Sequence, residues 1–373
     1  MFYLKIVFIL LSGFCFLSYG QGQDKVLFYV GTFSGNGAEG IYLCNFDTVT
    51  GNLGLENKFK GYDNPNFLTK SKDGRYLYAC IRPEQAGASG NGAVAAFKIN
   101  REDGALSFIN QQSSEGVDPC YVDITPDNKY VAVANYGDGI VSLFKTEPDG
   151  SLGKATQVIQ HSGSGPNERR QAGPHAHSVR FSPFDNNVFA ADLGNDNLMI
   201  YDFNETEGKL TEGQIPFTGM EPGSGPRHFD FHPEGKFIYV VNELGSTISV
   251  VSIENNYKVI QTISTLPAGY GGINYCADIH ISPCGKFLYC SNRGHNSITT
   301  FRVDKGGFVE WIAVTPSNGQ WPRNFTVAPG ENYLLVANQN SNNISVFRIN
   351  RETGIPVFIR KEIQIPSPVC LVF

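Results

Sequence analysis

The residues equipped for chemistry are few and widely separated. His175 and His177 stand in Pro174-His-Ala-His, Arg227 in Gly225-Pro-Arg-His, Glu243 after Asn242, Arg293 after Asn292, Arg323 after Pro322, and Arg82 just beyond Cys80 and Ile81. A guanidinium offers a planar fork to paired oxygens, so several arginines around one pocket favour a carboxylate or a phosphate. An imidazole near neutrality can take a proton from water and return it to a leaving oxygen. A carboxylate can orient that imidazole or share the proton traffic. Together these groups suit addition or elimination of oxygen at a carbonyl; lactone opening is the simplest case, with arginine stabilising the oxyanion. No Gly-x-Ser-x-Gly segment occurs, which disfavours a serine acyl-enzyme.

His175 and His177 also invite a metal, since alternate residues of a strand point the same way. Beyond Glu243 there is no third ligand, so neither metal nor other cofactor is expected. His228, His280 and His295 read as ordinary strand or loop residues. Asn135, Asn242, Asn292 and Asn338 read as caps of strand ends, because asparagine bonds nearby backbone. Gly163-Ser-Gly-Pro and Gly223-Ser-Gly-Pro are loops before strands rather than phosphate cradles on helices.

What must position these residues is a repeat. Six segments share one order: proline or a substitute, a short alternating run, a Pro/Asp/Gly turn, an apolar-aromatic run, Asn or Asp, and a second alternating run. Their turns lie at Lys72, Pro126, Pro183, Pro233, Pro283 and Pro329, spaced by 54, 57, 50, 50 and 46 residues. Each repeat supplies a hairpin, a third strand and room for a fourth, which is the content of one propeller blade of roughly 50 residues. A β-sandwich explains neither this period nor the ends of the chain. Val26-Leu-Phe-Tyr-Val-Gly-Thr-Phe and Gly40-Ile-Tyr-Leu-Cys-Asn-Phe-Asp resemble second and third strands, whereas Pro368-Val-Cys-Leu-Val-Phe resembles an orphan first strand. Joining them makes a seventh blade and leaves no edge unpaired. The expected fold is an all-β, seven-bladed β-propeller over residues 21–373, closed by its C-terminal strand.

Connectivity then predicts which residues meet. The start of each innermost strand and the end of each second strand share one rim of the axial channel. The first ring holds Asn66, Cys120, His177, Arg227, Ala277, Arg323 and Val369; the second holds Thr32, Arg82, Tyr136, Leu193, Glu243, Arg293 and Gln339. Four arginines, one histidine and one glutamate thus crowd one mouth in a chain that is only 17% charged.

Composition bounds the rest. Lys and Arg number 29 against 35 Asp and Glu, a net charge of −6, which gives no electrostatic footing for nucleic acid. Lys5, an apolar run from Ile6 to Leu17, and small residues at Ser18 and Gly20 form the layout of a secretory signal peptide over residues 1–20. That run is short for a bilayer span of about 20 residues, so the mature chain is expected to carry no membrane span and to be periplasmic or secreted. Seven cysteines remain beyond the leader, at scattered spacings and without a Cys-x-x-Cys pair. They read mostly as small apolar fillers, with room for one isolated disulfide in an oxidising compartment.

The segments Pro174-His-Ala-His-Ser, Ala191-Asp-Leu-Gly-Asn-Asp, Gly225-Pro-Arg-His, Asn242-Glu-Leu-Gly and Ser291-Asn-Arg-Gly together resemble the seven-bladed propeller lactonase family. That family contains bacterial 6-phosphogluconolactonases and fungal carboxymuconate-lactonizing enzymes, and the resemblance spans essentially the whole mature chain. It implies that His177, Arg227, Glu243 and Arg293 occupy catalytic or substrate-binding positions, that no metal is needed, and that the reaction is hydrolysis of 6-phospho-glucono-1,5-lactone to 6-phosphogluconate in carbohydrate metabolism. The expected assignment makes His177, Glu243 and Arg227 catalytic, with Arg293, Arg323, His175 and Arg82 binding a small anionic lactone. An export signal departs from a cytoplasmic sugar-phosphate role and leaves an unphosphorylated or carboxylated lactone open. The alternatives are a cycloisomerase acting on a muconate-like acid and a non-enzymatic propeller that binds a protein or glycan at the cell surface.

Overall fold

The computed structural model describes residues 25–83, 90 and 92–373; the expected leader lies outside them. Twenty-eight strands form seven four-stranded antiparallel sheets among the described residues. Blade 1 combines residues 25–60 with the C-terminal strand, and blades 2 to 7 span 65–113, 119–160, 176–219, 226–264, 275–316 and 322–364. Each blade repeats the expected hairpin, turning at the Pro/Asp/Gly segment. In blade 5, for example, Gly235 supplies φ 71° at the turn, a left-handed conformation that glycine adopts without penalty.

Closure occurs as the chain ends imply. The strand Pro368–Val372 pairs antiparallel with Lys25–Thr32, with Tyr29 opposite Val372 and Gly31 opposite Cys370. Apolar seams then join neighbouring blades. Phe28, Tyr42 and Phe46 of blade 1 pack with Leu335 and Val346 of blade 7, while Tyr29, Ile41 and Leu43 pack with Leu77 and Phe97 of blade 2. Each such side chain taken out of water contributes roughly 1.5–3 kcal/mol. Tyrosine hydroxyls fasten the same seams: Tyr29 to the Gly104 carbonyl, Tyr78 to Gly150, Tyr239 to Gly307, Tyr289 to Gly354, and Tyr333 back to Val49. All seven described thiols are free, and five of them (Cys44, Cys80, Cys276, Cys290 and Cys370) fill the buried core.

One local irregularity recurs where it matters. In blade 5 the ladder passes from Pro226 opposite Asn242 to His228 opposite Val241, so Arg227 is the unpaired residue of a β-bulge. The same slip skips Asn66, Cys120, His177 and Arg323, and in blade 6 it takes in Ala277 and Asp278. A bulge reverses the alternation of faces that follows it. Phe229 and Phe231 therefore enter the apolar seam, while His228 follows Arg227 toward the axis.

Candidate functional site

The first-ring bulges and the ends of the second strands bring His177, Arg227, Glu243 and Arg293 together, all buried. Glu243 stands at the centre of the cationic arc. Its Oε2 accepts from Arg227 Nε at 3.0 Å and from Arg293 Nη2 at 2.6 Å, and its Oε1 accepts from Arg170 Nη2 at 2.6 Å. Burial alone would raise the carboxyl, but Arg293, Arg227 and Arg170 overturn that and hold it well below the usual carboxylate range. Glu243 is therefore an anion that fixes guanidiniums; no hydrogen bond joins it to His177.

Each guanidinium is held by one edge and keeps another unused. Arg227 gives Nε to Glu243 and Nη1 to the Ala277 carbonyl and His228 Nε2, leaving Nη2 without an acceptor among the described residues. Arg293 bonds through Nε to the Tyr275 carbonyl and through Nη2 to Cys276, and lies 5.5 Å from the Trp321 ring centroid. Arg170 also donates to the Tyr136 hydroxyl at 3.2 Å and rests over Tyr275.

His177 is the neutral member of the well. Its Nδ1 faces Cys120 Sγ at 3.7 Å, and its ring meets Tyr136 edge-on and lies 5.4 Å from His228. Burial first, then Arg227, His228 and Arg323, push its pKa well below the ordinary histidine value, so it is unprotonated at neutral pH. Burial likewise pushes the Cys120 thiol up to about 12, so the sulfur facing it is not a thiolate.

Across the axis, Arg323 has no carboxylate within salt-bridge range and no hydrogen-bonded side-chain partner among the described residues; it rests 4.8 Å from the Phe33 ring centroid. Burial, Arg227 and Arg293 all press on its charge. Because arginine keeps its proton in proteins, that pressure is repulsion an incoming anion would relieve. Arg82 also lies over the Phe33 ring, 5.9 Å from its centroid, but is neutralised by Asp118 at 2.7 Å. Among the described residues at the mouth, the four guanidiniums of Arg170, Arg227, Arg293 and Arg323 against the one carboxylate of Glu243 leave a surplus of three positive charges there.

The expected pairing of His175 with His177 does not form. His175 precedes the strand Ala176–Phe181 and the bulge falls between them, so strand alternation does not apply. Its ring stacks on Tyr136 at 4.5 Å and its Nδ1 bonds the Tyr136 carbonyl, while His177 touches another side of the same ring. Among the described residues no group of three His, Cys, Asp or Glu side chains is placed to share an ion.

Two participants escape sequence reasoning. Arg170 comes from the irregular loop before blade 4, outside the repeat frame, and is anchored where the neighbouring Gln171 bonds Asp196 and the Leu193 carbonyl. Only the Glu168-Arg-Arg charge run in a glycine-rich loop hinted at it. His228 reads from the sequence as an ordinary strand or loop residue; the bulge puts it, with Arg227, toward the axis. The four asparagines do bind loops and strand ends, as Asn135 does with the Ser114 and Ile140 carbonyls.

Comparison with known proteins agrees with this architecture. The model of the family described as "Lactonase, 7-bladed beta-propeller" matches residues 27–373. The 6-phosphogluconolactonase of Bacillus subtilis (strain 168) is 35% identical over 358 residues, covering 94% of this chain and 99% of its own. A 6-phosphogluconolactonase of Formosa agariphila is 37% identical, covering 87% of this chain and 93% of its own. The solved structure of the Pseudomonas aeruginosa periplasmic gluconolactonase PpgL superposes with a TM-score of 0.87 at 31% identity, covering 93% of this chain and 98% of that one.

Proposed function

Because this chain belongs to the seven-bladed β-propeller lactonase family, we propose that it is a hydrolase that opens a sugar lactone at the mouth of the axial channel. The substrate put first is 6-phospho-glucono-1,5-lactone, giving 6-phosphogluconate. The observation that carries this proposal is the surplus of guanidinium charge fixed around Glu243 beside a buried, neutral His177.

In this mechanism water attacks the lactone carbonyl. The free edges of Arg227 and Arg293 receive the charge that develops on the carbonyl oxygen, pre-oriented so that little reorganisation is needed. His177 takes the proton of the attacking water and returns it to the ring oxygen as the C–O bond breaks, which yields the hydroxy acid. Glu243 acts through the guanidiniums it holds. Arg323, with no hydrogen-bonded side-chain partner among the described residues, binds the anionic substituent. His175 shapes the wall through Tyr136, and Arg82 supports Phe33. The scheme runs on the chain's own groups without a metal.

The leader expected over residues 1–20 and the periplasmic relative support an exported enzyme, for which an unphosphorylated or carboxylated lactone is the second substrate class. The test is turnover of glucono-1,5-lactone and its 6-phosphate by the mature protein in water enriched in oxygen-18. We expect label in the new carboxylate and at least a 10²-fold loss in His177→Ala, the usual scale for a lost general base. Label-free product would make the enzyme a cycloisomerase. Undiminished turnover in His177→Ala and Arg227→Ala would overturn the assigned roles, and no turnover together with ligand binding away from the mouth would favour a binding propeller.

A further inference from the structure

Below the first ring, on the axis, lies a buried imidazole–carboxylate pair that the hydrolytic scheme does not use. His228 Nδ1 is 2.8 Å from Asp278 Oδ1, and its Nε2 is 3.1 Å from Arg227 Nη1. A carboxylate only accepts and a guanidinium only donates, so both neighbours demand the same neutral tautomer: Nδ1 protonated and Nε2 bare. The ring is buried and flanked by the Tyr121 ring edge-on at 5.1 Å, the His177 ring at 5.4 Å and the Phe67 ring at 5.8 Å. Asp278 is itself fixed, its Oδ2 accepting from Asn324 Nδ2 at 2.6 Å and His280 Nε2 at 3.0 Å.

We propose that His228, oriented by Asp278, is a positioning residue for Arg227: its bare Nε2 and the Ala277 carbonyl together occupy Nη1, so that Nη2 is the edge presented to the developing oxyanion. Three of the five Arg227 donors are thereby assigned inside the protein, and the remaining two share one nitrogen. The role at the oxyanion rests on the lactonase proposal; the orientation of the guanidinium does not.

Two measurements test it. His228→Phe keeps an aromatic ring and removes the acceptor, while His228→Gln can offer a carbonyl oxygen in its place. A hydrogen bond to a charged group corresponds to about 10- to 100-fold, so we expect His228→Phe to lose that much kcat with KM changed less than about threefold, and His228→Gln to recover most of it. Equal losses in both variants, or a loss only of thermal stability, would overturn the proposal. Two-bond proton–nitrogen spectra of histidine-labelled protein, which need no substrate, should show His228 with a bare Nε2 in the wild type and a growing Nε2–H population in Asp278→Asn. An Nε2–H or doubly protonated ring in the wild type at pH 7 would refute the positioning role whatever the substrate. Absence of lactone turnover with the expected spectrum would instead refute the lactonase proposal alone.

Discussion

The two sides of the axial well hold positive charge in opposite ways. On the side of blades 4 to 6, Arg170, Arg227 and Arg293 converge on Glu243, each pinned through one edge. On the side of blades 7, 1 and 2, Arg323 lies over Phe33 with no carboxylate in salt-bridge range among the described residues. A pinned guanidinium has lost its conformational freedom before the substrate arrives, which suits the point where charge develops during reaction. An unpinned one keeps every donor and can adapt to a carboxylate or a phosphate already present in the ground state. In the proposed scheme the first arrangement serves the reacting centre and the second recognition.

Glu243→Gln breaks this contrast most severely. It leaves three guanidiniums repelling one another, and kcat/KM should fall on the order of 10³-fold, the scale of a disrupted oxyanion site. Removing one partner of a buried ion pair also costs about 3–5 kcal/mol, visible in the unfolding midpoint. Because the carboxyl is held below its unfolded value, its contribution is present above the unfolded glutamate pKa of about 4.3 and fades as pH falls; the variant should lack that acid-side loss. Unchanged kcat with a raised KM would place Glu243 in recognition instead.

Arg323→Gln sharpens the contrast. KM for the 6-phosphorylated lactone should rise about 10- to 100-fold, as expected for lost charge-assisted hydrogen bonds, while the neutral lactone changes less than about threefold. Equal effects on both substrates would place Arg323 at the reacting centre.

The smallest effect is in the pH profile. Protonation of His177 is opposed by burial, Arg227 and Arg323, so the acid limb of kcat/KM, which reports free enzyme, should lie well below pH 6.5. A bound anion shields those guanidiniums and favours the protonated imidazole, so the limb of kcat should move up by about one pH unit. Coincident limbs would mean that the anion binds away from His177 and Arg323.

Much of this was legible in the chain. The spacing of the turns, together with an N-terminus that begins on second-strand character and a C-terminus that ends on first-strand character, sufficed for seven closed blades. Equivalent positions in the repeats placed His177, Arg227, Glu243 and Arg293 on one mouth, because a repeated module circling an axis must present the same position of each copy to the centre. Arg170 was invisible to that logic, since its loop has no counterpart in the other blades. His228 was hidden for another reason: strand alternation assigns neighbours to opposite faces, and one unpaired residue cancels the rule. Periodicity therefore determined the architecture and the circle of side chains from local pattern alone. Which oxygen meets which nitrogen was left to the folded chain: Glu243 binding three arginines, Arg323 lying over Phe33 and His228 turned beneath Arg227 each depend on bulges and on side chains from different blades. Those contacts are set by packing between segments far apart in the chain, and no local pattern encodes them.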